Sequence, residues 1–404
     1  MSNSLSSKPI RVAHVVSHPI QYYVHLYRAI STLPGVELTV FYLSDQGLDG
    51  YFDADFQKQI RWDVDLLGGY RSVFLESGKG GKKKSGLFRK PDWQFLKRLA
   101  RDRYDVIWAH GYQDSNILGA KLITLLQRKA FLVREDTTLL EPRSRKVLAL
   151  KRLMFGLVFC GSKSGGLFTG TNSRAHFRHF GVKEDRLFPA LHCVDDIAFA
   201  RSARVLKPER QRIRQSFGIT DDAPVVLFCG KLIELKQPFR LVEAFTRVAA
   251  KHPCWLLLAG DGPLFAEVKT LCDTLGVADR VVRPGFLNQS QLPRAYAAAD
   301  LFVLPSRTET WGLVVNEAMH FSLPVIVSDH VGCAPDLVKD GVNGFIVPVM
   351  NTEKLSEAME KLLVDAGLRA AFGAQSATLI QDYTVENCAQ QIRYACQALS
   401  VNSK

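Results

Sequence analysis

Short, wholly apolar runs alternate along this chain with segments whose apolar positions recur at helical spacing. In the first half, Ile10–Ser17 reads as a strand, Tyr22–Thr32 as a helix and Glu37–Leu43 as a second strand. Trp93–Arg101 has helical spacing, and Asp105–His110 is an apolar strand that ends in polar residues. Ile117–Gln127 continues as a helix, Ala130–Arg134 as a strand, and Leu187–Pro189 closes the series. The second half repeats the alternation. Pro224–Cys229, Trp255–Ala259, Val281–Arg283, Leu301–Leu304 and Pro324–Ser328 read as strands. Phe239–Lys251, Leu264–Leu275, Gln291–Ala299, Leu313–Phe321 and Thr352–Gly367 read as the helices between and after them. Such alternation predicts parallel sheets covered by helices on both faces.

At 404 residues the chain exceeds one ordinary core. It is read as two successive doubly wound domains, residues 1–200 and 201–383, with the charged stretch Arg201–Asp222 as the linker. The last helix, Glu386–Leu399, has no strand after it; residues 384–404 are expected to pack on the first domain. Ligands of such sheets bind beyond the carboxyl ends of the strands. The polar clusters fall there: Ser17/His18, His110, Arg134/Glu135, Gly230/Lys231, Gly260–Gly262 and Ser306–Gly312. A cleft between the domains is the economical expectation.

The most informative of these clusters is SRTETWGLVVNEA, Ser306–Ala318. Gly312 opens an apolar helix, whose first amides form an anion site that a glycine lets a phosphate approach. Glu317 lies roughly 7–8 Å further along that helix, and Glu309 sits in the loop before it. A diphosphate at the helix end would leave a ribose beside Glu317 and a sugar beside Glu309. The alternative is one solvated helix glutamate and one loop glutamate. Lys231 and Lys236 follow Gly230 at the end of another strand, where both can meet a diphosphate as point charges. No Walker-type loop occurs. His110, at the end of VIWAH, is placed to donate a hydrogen bond to substrate or to share charge with a reacting centre.

Composition adds limits. Hydrophobic residues make up 47% and charged residues 23%, as in a globular protein. No apolar run is long enough to span a bilayer, and the N-terminus lacks the pattern of a signal peptide. Eight scattered cysteines form no framework, so a cytoplasmic protein is expected. The net charge of +12 is uneven, because residues 1–205 hold 32 Lys and Arg against 19 Asp and Glu. Its densest part, Lys79–Arg103, mixes cations with Leu87, Phe88, Trp93, Phe95, Leu96 and Leu99. That mixture suits an anionic membrane surface or a phosphate-bearing acceptor, or else a solvated loop before an ordinary helix. No nucleic-acid motif accompanies it.

Residues 225–350 resemble retaining GT-B glycosyltransferases of family 4. The resemblance is carried in order by Gly230-Lys231 with Lys236, AGDGP (259–263), PGFL (284–287), AADLFVLPSRTETWG (298–312), Asn316-Glu317-Ala318-Met319, Leu323-Pro324-Val325 and KDGVNGFIVP (339–348). It implies an α/β GT-B architecture of two Rossmann-like domains facing across a cleft. It also implies transfer of a sugar, with retention, from a nucleotide diphosphate sugar to an acceptor hydroxyl. Glu317 would hold the ribose and Glu309 the donor sugar; the loop residues Thr310 and Trp311 and the amides of Gly312 and Leu313 would meet the donor. Lys231 and Lys236 would bind the diphosphate, with His110, Lys236 and Glu309 as the catalytic group. Attack would come from the front face, assisted by the leaving phosphate, with neither metal nor cofactor. Acceptor contacts would fall to the basic first domain, at His18, Gln21 and Arg134, in polysaccharide, lipopolysaccharide or glycolipid synthesis at the inner face of a membrane. The rival readings are a GT-B nucleotide-sugar epimerase and a non-catalytic sugar-nucleotide or membrane-binding module.

The chain departs from its relatives in places. Lys231 stands where many have arginine, and Trp311 where phenylalanine is usual. His192-Cys193 replaces Asn-Gly before Val194, and Ser17–Gln21 replaces a glycine-rich loop. Asp53/Asp55 and Asp63/Asp65 resemble the metal-binding pair of the other main glycosyltransferase fold. Their irregular, charged surroundings read instead as solvated turns, and no metal is expected.

Overall fold

The computed structural model describes residues 8–53, 55–76, 90–141 and 143–401. Two compact units divide it. The first takes in the described residues up to Tyr51, then Val64–His192 and the chain from Val385; the second holds Phe52–Asp63 and Cys193–Thr384. The break therefore falls at 192/193, and a short early segment belongs with the later unit.

The early chain forms β1 (Ile10–Val16), α1 (Gln21–Thr32), β2 (Val36–Tyr42), a small pair β3 (Tyr51–Asp53) and β4 (Lys58–Ile60), and β5 (Arg71–Phe74). It continues with α2 (Trp93–Asp102), β6 (Val106–His110), α3 (Ser115–Leu126), β7 (Ala130–Glu135) and α4 (Arg145–Val158). β8 (Ser164–Phe168), α5 (Thr171–His179) and β9 (Leu187–Pro189) follow. The seven-stranded sheet runs β5-β2-β1-β6-β7-β8-β9, with parallel pairings throughout.

The second unit opens with α6 (Asp196–Leu206) and α7 (Arg210–Ser216). Residues 201–222 are therefore largely helical rather than a linker. Buried Arg214 and half-exposed Arg210 both pair with Asp300, at 2.5 and 2.7 Å. Then come β10 (Val225–Cys229), α8 (Pro238–Ala249), β11 (Trp255–Ala259), α9 (Phe265–Thr274) and β12 (Val281–Gly285). These lead to α10 (Leu292–Ala298), β13 (Leu301–Leu304), α11 (Leu313–His320), β14 (Val325–Ser328) and α12 (Ala334–Leu337). β15 (Gly344–Val347), α13 (Thr352–Val364) and α14 (Ala366–Leu379) complete it; the last two are separate helices, where the sequence reading had one. The sheet order is β12-β11-β10-β13-β14-β15, again parallel. β10, β11, β13 and β14 are buried at every position, which explains their unbroken apolar sequences.

Both orders reverse once, between β1 and β6 and between β10 and β13. Those are the switch points at which doubly wound sheets hold ligands. The final helix, α15 (Val385–Val401), packs on α1 and on β7, β8 and β9 of the first unit. Among the described residues, no helix is long and apolar enough to cross a membrane.

Candidate functional site

At the switch point of the second unit, backbone contacts join four strand-end loops. The Gly230 amide donates to Ala259 O at 3.0 Å, and the Leu232 amide to Asp261 O at 2.9 Å. A Cβ on Gly260 would stand 1.8 Å from the carbonyl oxygen of Gly230, so only glycine permits this approach. Arg307 N donates to Leu235 O at 2.8 Å, bringing in the loop after β13. That loop is fixed from its other side, where Gly332 N donates to Glu309 O and Cys333 N to Trp311 O, each at 2.9 Å. A Cβ on Gly332 would lie 1.8 Å from Thr310 O. The glycines of AGDGP and the residue before Cys333 are thus required by backbone proximity, not by flexibility.

This frame positions the charged side chains. A single 3₁₀ turn, Glu234–Lys236, turns Lys236 onto Glu309, and their ammonium and carboxylate are in contact. Burial, followed by repulsion from Lys231, pushes the Lys236 ammonium down to about 8; the Glu309 carboxylate works against that, favouring the charged form. Gly312 has φ +99° and caps α11, an eight-residue helix that begins at Leu313. Trp311 is buried, donates to Asn316 Oδ1 at 2.9 Å and lies tilted against Tyr383, 6.2 Å between ring centres. Its ring is therefore held inward, and only the backbone of this residue faces the loop partners named above. Thr310 presents its carbonyl to Gly332.

Glu317 is fully buried and accepts a hydrogen bond from Tyr296 Oη at 2.6 Å. Burial, with the Glu317 carboxylate as second cause, pushes the neighbouring Cys229 thiol well up. Glu317 thus lies under the loop frame beside the end of β10, not on a solvated helix face. Tyr296 had no motif to mark it: it sits in the alanine-rich α10 and reads as core.

The reading of Asp53 as solvated needs correction. Lys231 Nζ lies 3.2 Å from Asp53 Oδ1 and 2.9 Å from Asp55 Oδ2, and its ammonium sits 5.0 Å over the Phe56 ring. Asp63 accepts from the Ser290 amide at 3.1 Å. Asp53 is thus a largely buried partner of Lys231, whereas Asp55 and Asp63 are exposed, as expected of solvated turns, and also serve as ion-pair and loop anchors within the second unit. Burial works to raise the Asp53 carboxyl, but the Phe56 amide and Lys231 outweigh it and hold it below the usual range. Asp65 does form a turn, accepting from the amides of Leu67 and Gly68. Among the described residues, no group of three or more His, Cys, Asp or Glu could hold a metal ion.

The first unit assembles its switch point from side chains. His18 is hydrogen-bonded to Ser17 Oγ at 2.9 Å just after β1, and Gln21 is buried at the start of α1. His110, ending β6, lies 3.5 Å from Tyr23 Oη. Arg134, the penultimate residue of β7, is fully buried; its guanidinium sits 5.2 Å over the Tyr23 ring and donates to Ala190 O at 3.1 Å. His192 lies parallel to the Tyr23 ring at 6.0 Å, with Nε2 3.8 Å from Asp136 Oδ2. Burial, then Arg134, pushes His110 down to about 4, so its ring is neutral at pH 7. A cavity of about 310 Å³ opens beside these residues, lined by Ser17, His110, Tyr112, Arg134, Asp136 and Thr137 among others. The structure thus brings His18, His110 and Arg134 to one strand-end cluster and adds Tyr23, Asp136 and His192, which sequence reasoning had not placed there.

Of the basic segment Lys79–Arg103, the part up to Arg89 lies outside the described residues. In α2, Phe95, Leu96 and Leu99 face the core, and Arg98 and Arg101 pair with Asp102. The apolar residues described there are therefore mostly not on the surface; Trp93, at 67% exposure, is the exception.

Comparison with known proteins places these features. Residues 209–378 match the family model described as Glycosyl transferases group 1. The chain is 33% identical over 171 residues to an alpha-D-kanosaminyltransferase of Streptomyces kanamyceticus, covering 42% of this chain and 44% of that protein. It is 31% identical over 221 residues to a D-inositol 3-phosphate glycosyltransferase of Xylanimonas cellulosilytica, 53% of each. The chain thus spans about half the length of the curated relatives it matches. Among solved structures, Anabaena HepE in complex with UDP superposes with a TM-score of 0.74 at 18% identity, over 96% of this chain and all of that one. WaaG, described as a glycosyltransferase of lipopolysaccharide biosynthesis, superposes at 0.67 and 16% identity, over 97% and 100%. The fold, two Rossmann-like α/β units, is the GT-B fold.

Proposed function

We propose that this protein is a glycosyltransferase that moves a sugar from a nucleotide diphosphate sugar to an acceptor hydroxyl with retention of configuration. One observation carries the reading. Lys231, Lys236, Glu309 and the Gly312-capped start of α11 converge at the second unit's switch point, inside the segment that matches the glycosyl transferases group 1 model. Cations and free helix amides are what a departing diphosphate requires. The UDP bound to HepE supports a nucleoside diphosphate as that group.

In this reading the diphosphate lies against Lys231, Lys236 and the Gly312 and Leu313 amides. Glu309 orients the donor sugar, and Glu317, aligned by Tyr296, faces the ribose hydroxyls. The bond from the anomeric carbon to the diphosphate oxygen breaks as the bond to the acceptor oxygen forms. The acceptor proton passes to the departing phosphate oxygen. The lysines and amides supply the positive charge, so the reading calls for no metal. His110, neutral at pH 7, acts as a hydrogen-bond partner of substrate. His18, Gln21 and Arg134 belong to the acceptor side, which we assign to a glycan or glycolipid handled at the cytoplasmic membrane face.

Incubation of the protein with a panel of nucleoside diphosphates and their sugars, followed by thermal unfolding, identifies the donor through its stabilisation. Product analysis with that donor then decides the activity. Transfer that is lost in Lys236→Ala and Glu309→Gln is the expected result. Near wild-type turnover in both variants overturns the site, and conversion of the donor alone to an isomer marks an epimerase instead.

A further inference from the structure

We propose that the outward faces of α3 and α4 form a surface that docks this protein on an anionic lipid bilayer. The proposal extends the acceptor side of the reading above, but it rests on features that the donor site does not share.

The starting point is that α4 is apolar on two sides. Its inner side places Phe155 and Val158 in the core, with Leu148 and Met154 packed partly against it. That face already accounts for the burial a surface helix needs. Yet Leu150, Leu153 and Leu157, which share the opposite face at i, i+3, i+7 spacing, are 56%, 62% and 55% exposed. α3 does the same at its C-terminal end, where Leu122, Leu125 and Leu126 are 56%, 41% and 76% exposed. The two sets join. A Cβ on Gly161, three residues past α4, would lie 3.1 Å from Leu125 Cδ2. Lys121 of α3 reaches across the same seam to donate to Cys160 O at 2.7 Å. Six exposed leucines on two adjoining helices exceed the scattered apolar residues normal on a protein surface.

Charge identifies the occupant. Exposed Arg128, Arg145, Lys146 and Arg152 border the leucines. Neither Ser115–Arg134 nor Arg143–Lys183 contains a single Asp or Glu. A second copy of the chain seated on this face would set cations against cations, with no carboxylate on either helix to pair them. An anionic bilayer satisfies both properties, since leucines enter the acyl boundary while arginine and lysine meet lipid phosphates. The basic segment singled out from the sequence does not compete for this role in its described part, because α2 buries Phe95, Leu96 and Leu99.

The test uses the full chain and sedimentation with vesicles, either phosphatidylcholine alone or phosphatidylcholine with a third phosphatidylglycerol. Wild type is expected to sediment with the anionic vesicles and at least tenfold less with the neutral ones. Leu150→Glu/Leu153→Glu should lose at least tenfold in anionic-vesicle binding, with its thermal unfolding midpoint unchanged because both positions are exposed. Arg145→Glu/Lys146→Glu should lose binding in the same direction and retain the fold. Failure of wild type to bind anionic vesicles overturns the proposal, as does undiminished binding by the leucine variant. A concentration-dependent dimer that dissolves on Leu150→Glu/Leu153→Glu, without vesicle binding, also overturns it and gives the face to a second copy. Nucleoside diphosphate binding is measured separately, so either reading can fail without the other.

Discussion

The two units share a strand order and a switch point, yet they build what stands there by different means. The second unit joins its strand-end loops through main-chain hydrogen bonds, with glycines at 260 and 332 where a side chain cannot fit. The first unit fills the equivalent place with side chains: Tyr23 between His110, His192 and a buried Arg134. A site made of backbone constrains residue type at fixed positions. A site made of packed side chains can change partners while keeping the fold. The difference sets a second-unit site that tolerates little substitution against a first-unit cluster that can be rebuilt around other partners.

The sharpest break in the comparison is chemical. Lys236→Ala should lower sugar transfer by about 10²-fold or more, the scale of losing a group aimed at developing charge. His110→Ala should leave nucleoside diphosphate binding unchanged and lower transfer by about tenfold, the scale of one lost hydrogen bond. Thermal shift and product formation on the same samples separate the two effects. Equal loss of donor binding in both variants would erase the division of labour.

A structural break comes next. Gly260→Ala and Gly332→Ala force a Cβ onto a carbonyl oxygen and should each destabilise the second unit by about 3 kcal/mol. Gly111→Ala, at the first unit's switch point with φ +73° and no atom within 4 Å of its Cβ, should cost about 1 kcal/mol. Denaturant titration of the three variants provides the ranking.

Acid should distinguish the units as well. Burial holds His14, His110, His176 and His192 of the first unit below their ordinary value, His110 at about 4 and His176 at about 3. In the second unit His320 is the one described histidine shifted this way, to about 4. Each is neutral in the fold and takes up a proton at about 6.5 when unfolded, so the unfolded chain binds more protons below that value. Their contribution is intact above pH 6.5 and is lost as pH falls toward 4 and below. Hydrogen exchange followed by mass spectrometry at pH 7 and pH 5 should show the first unit losing protection sooner. At the other end of the scale, donor binding should weaken as pH rises through about 8, where Lys236 loses its proton.

The smallest effect concerns the early segment that belongs with the second unit. Asp53→Ala removes a carboxylate from Lys231 and should tighten nucleoside diphosphate binding by about two- to fivefold, in keeping with a partly exposed ion pair. Calorimetric titration reads it directly.

How much was legible follows the same division. The strands β10, β11, β13 and β14 were readable because both their faces are buried, which leaves only apolar residues. The meeting of the loops that carry Gly230, Lys236, Glu309 and Gly312 was readable because backbone contacts fix their spacing. β8 was not, since SGGLF carries two glycines; they stand where a Cβ on Gly166 would meet Leu187 at 2.9 Å and Phe177 at 3.0 Å, a constraint set by distant residues. α7 was hidden by its charges, two of which pair with Asp300 across the fold. The Lys231–Asp53 pair joins residues 178 positions apart, and no local pattern announces it.

The last helix has a consequence for how the chain is made. Cys388, Ala389, Ile392, Ala395, Cys396 and Leu399 of α15 are buried, and they cover α1 and the edge of the first sheet. Synthesis proceeds from the N-terminus, and domains commonly fold in that order. Here the first unit stays open along that face until the whole of residues 193–384 has left the ribosome. The unit begun first is therefore the one finished last. A ribosome that stalls within the second unit would release a chain with an uncovered apolar seam, and that seam is where a chaperone would be needed.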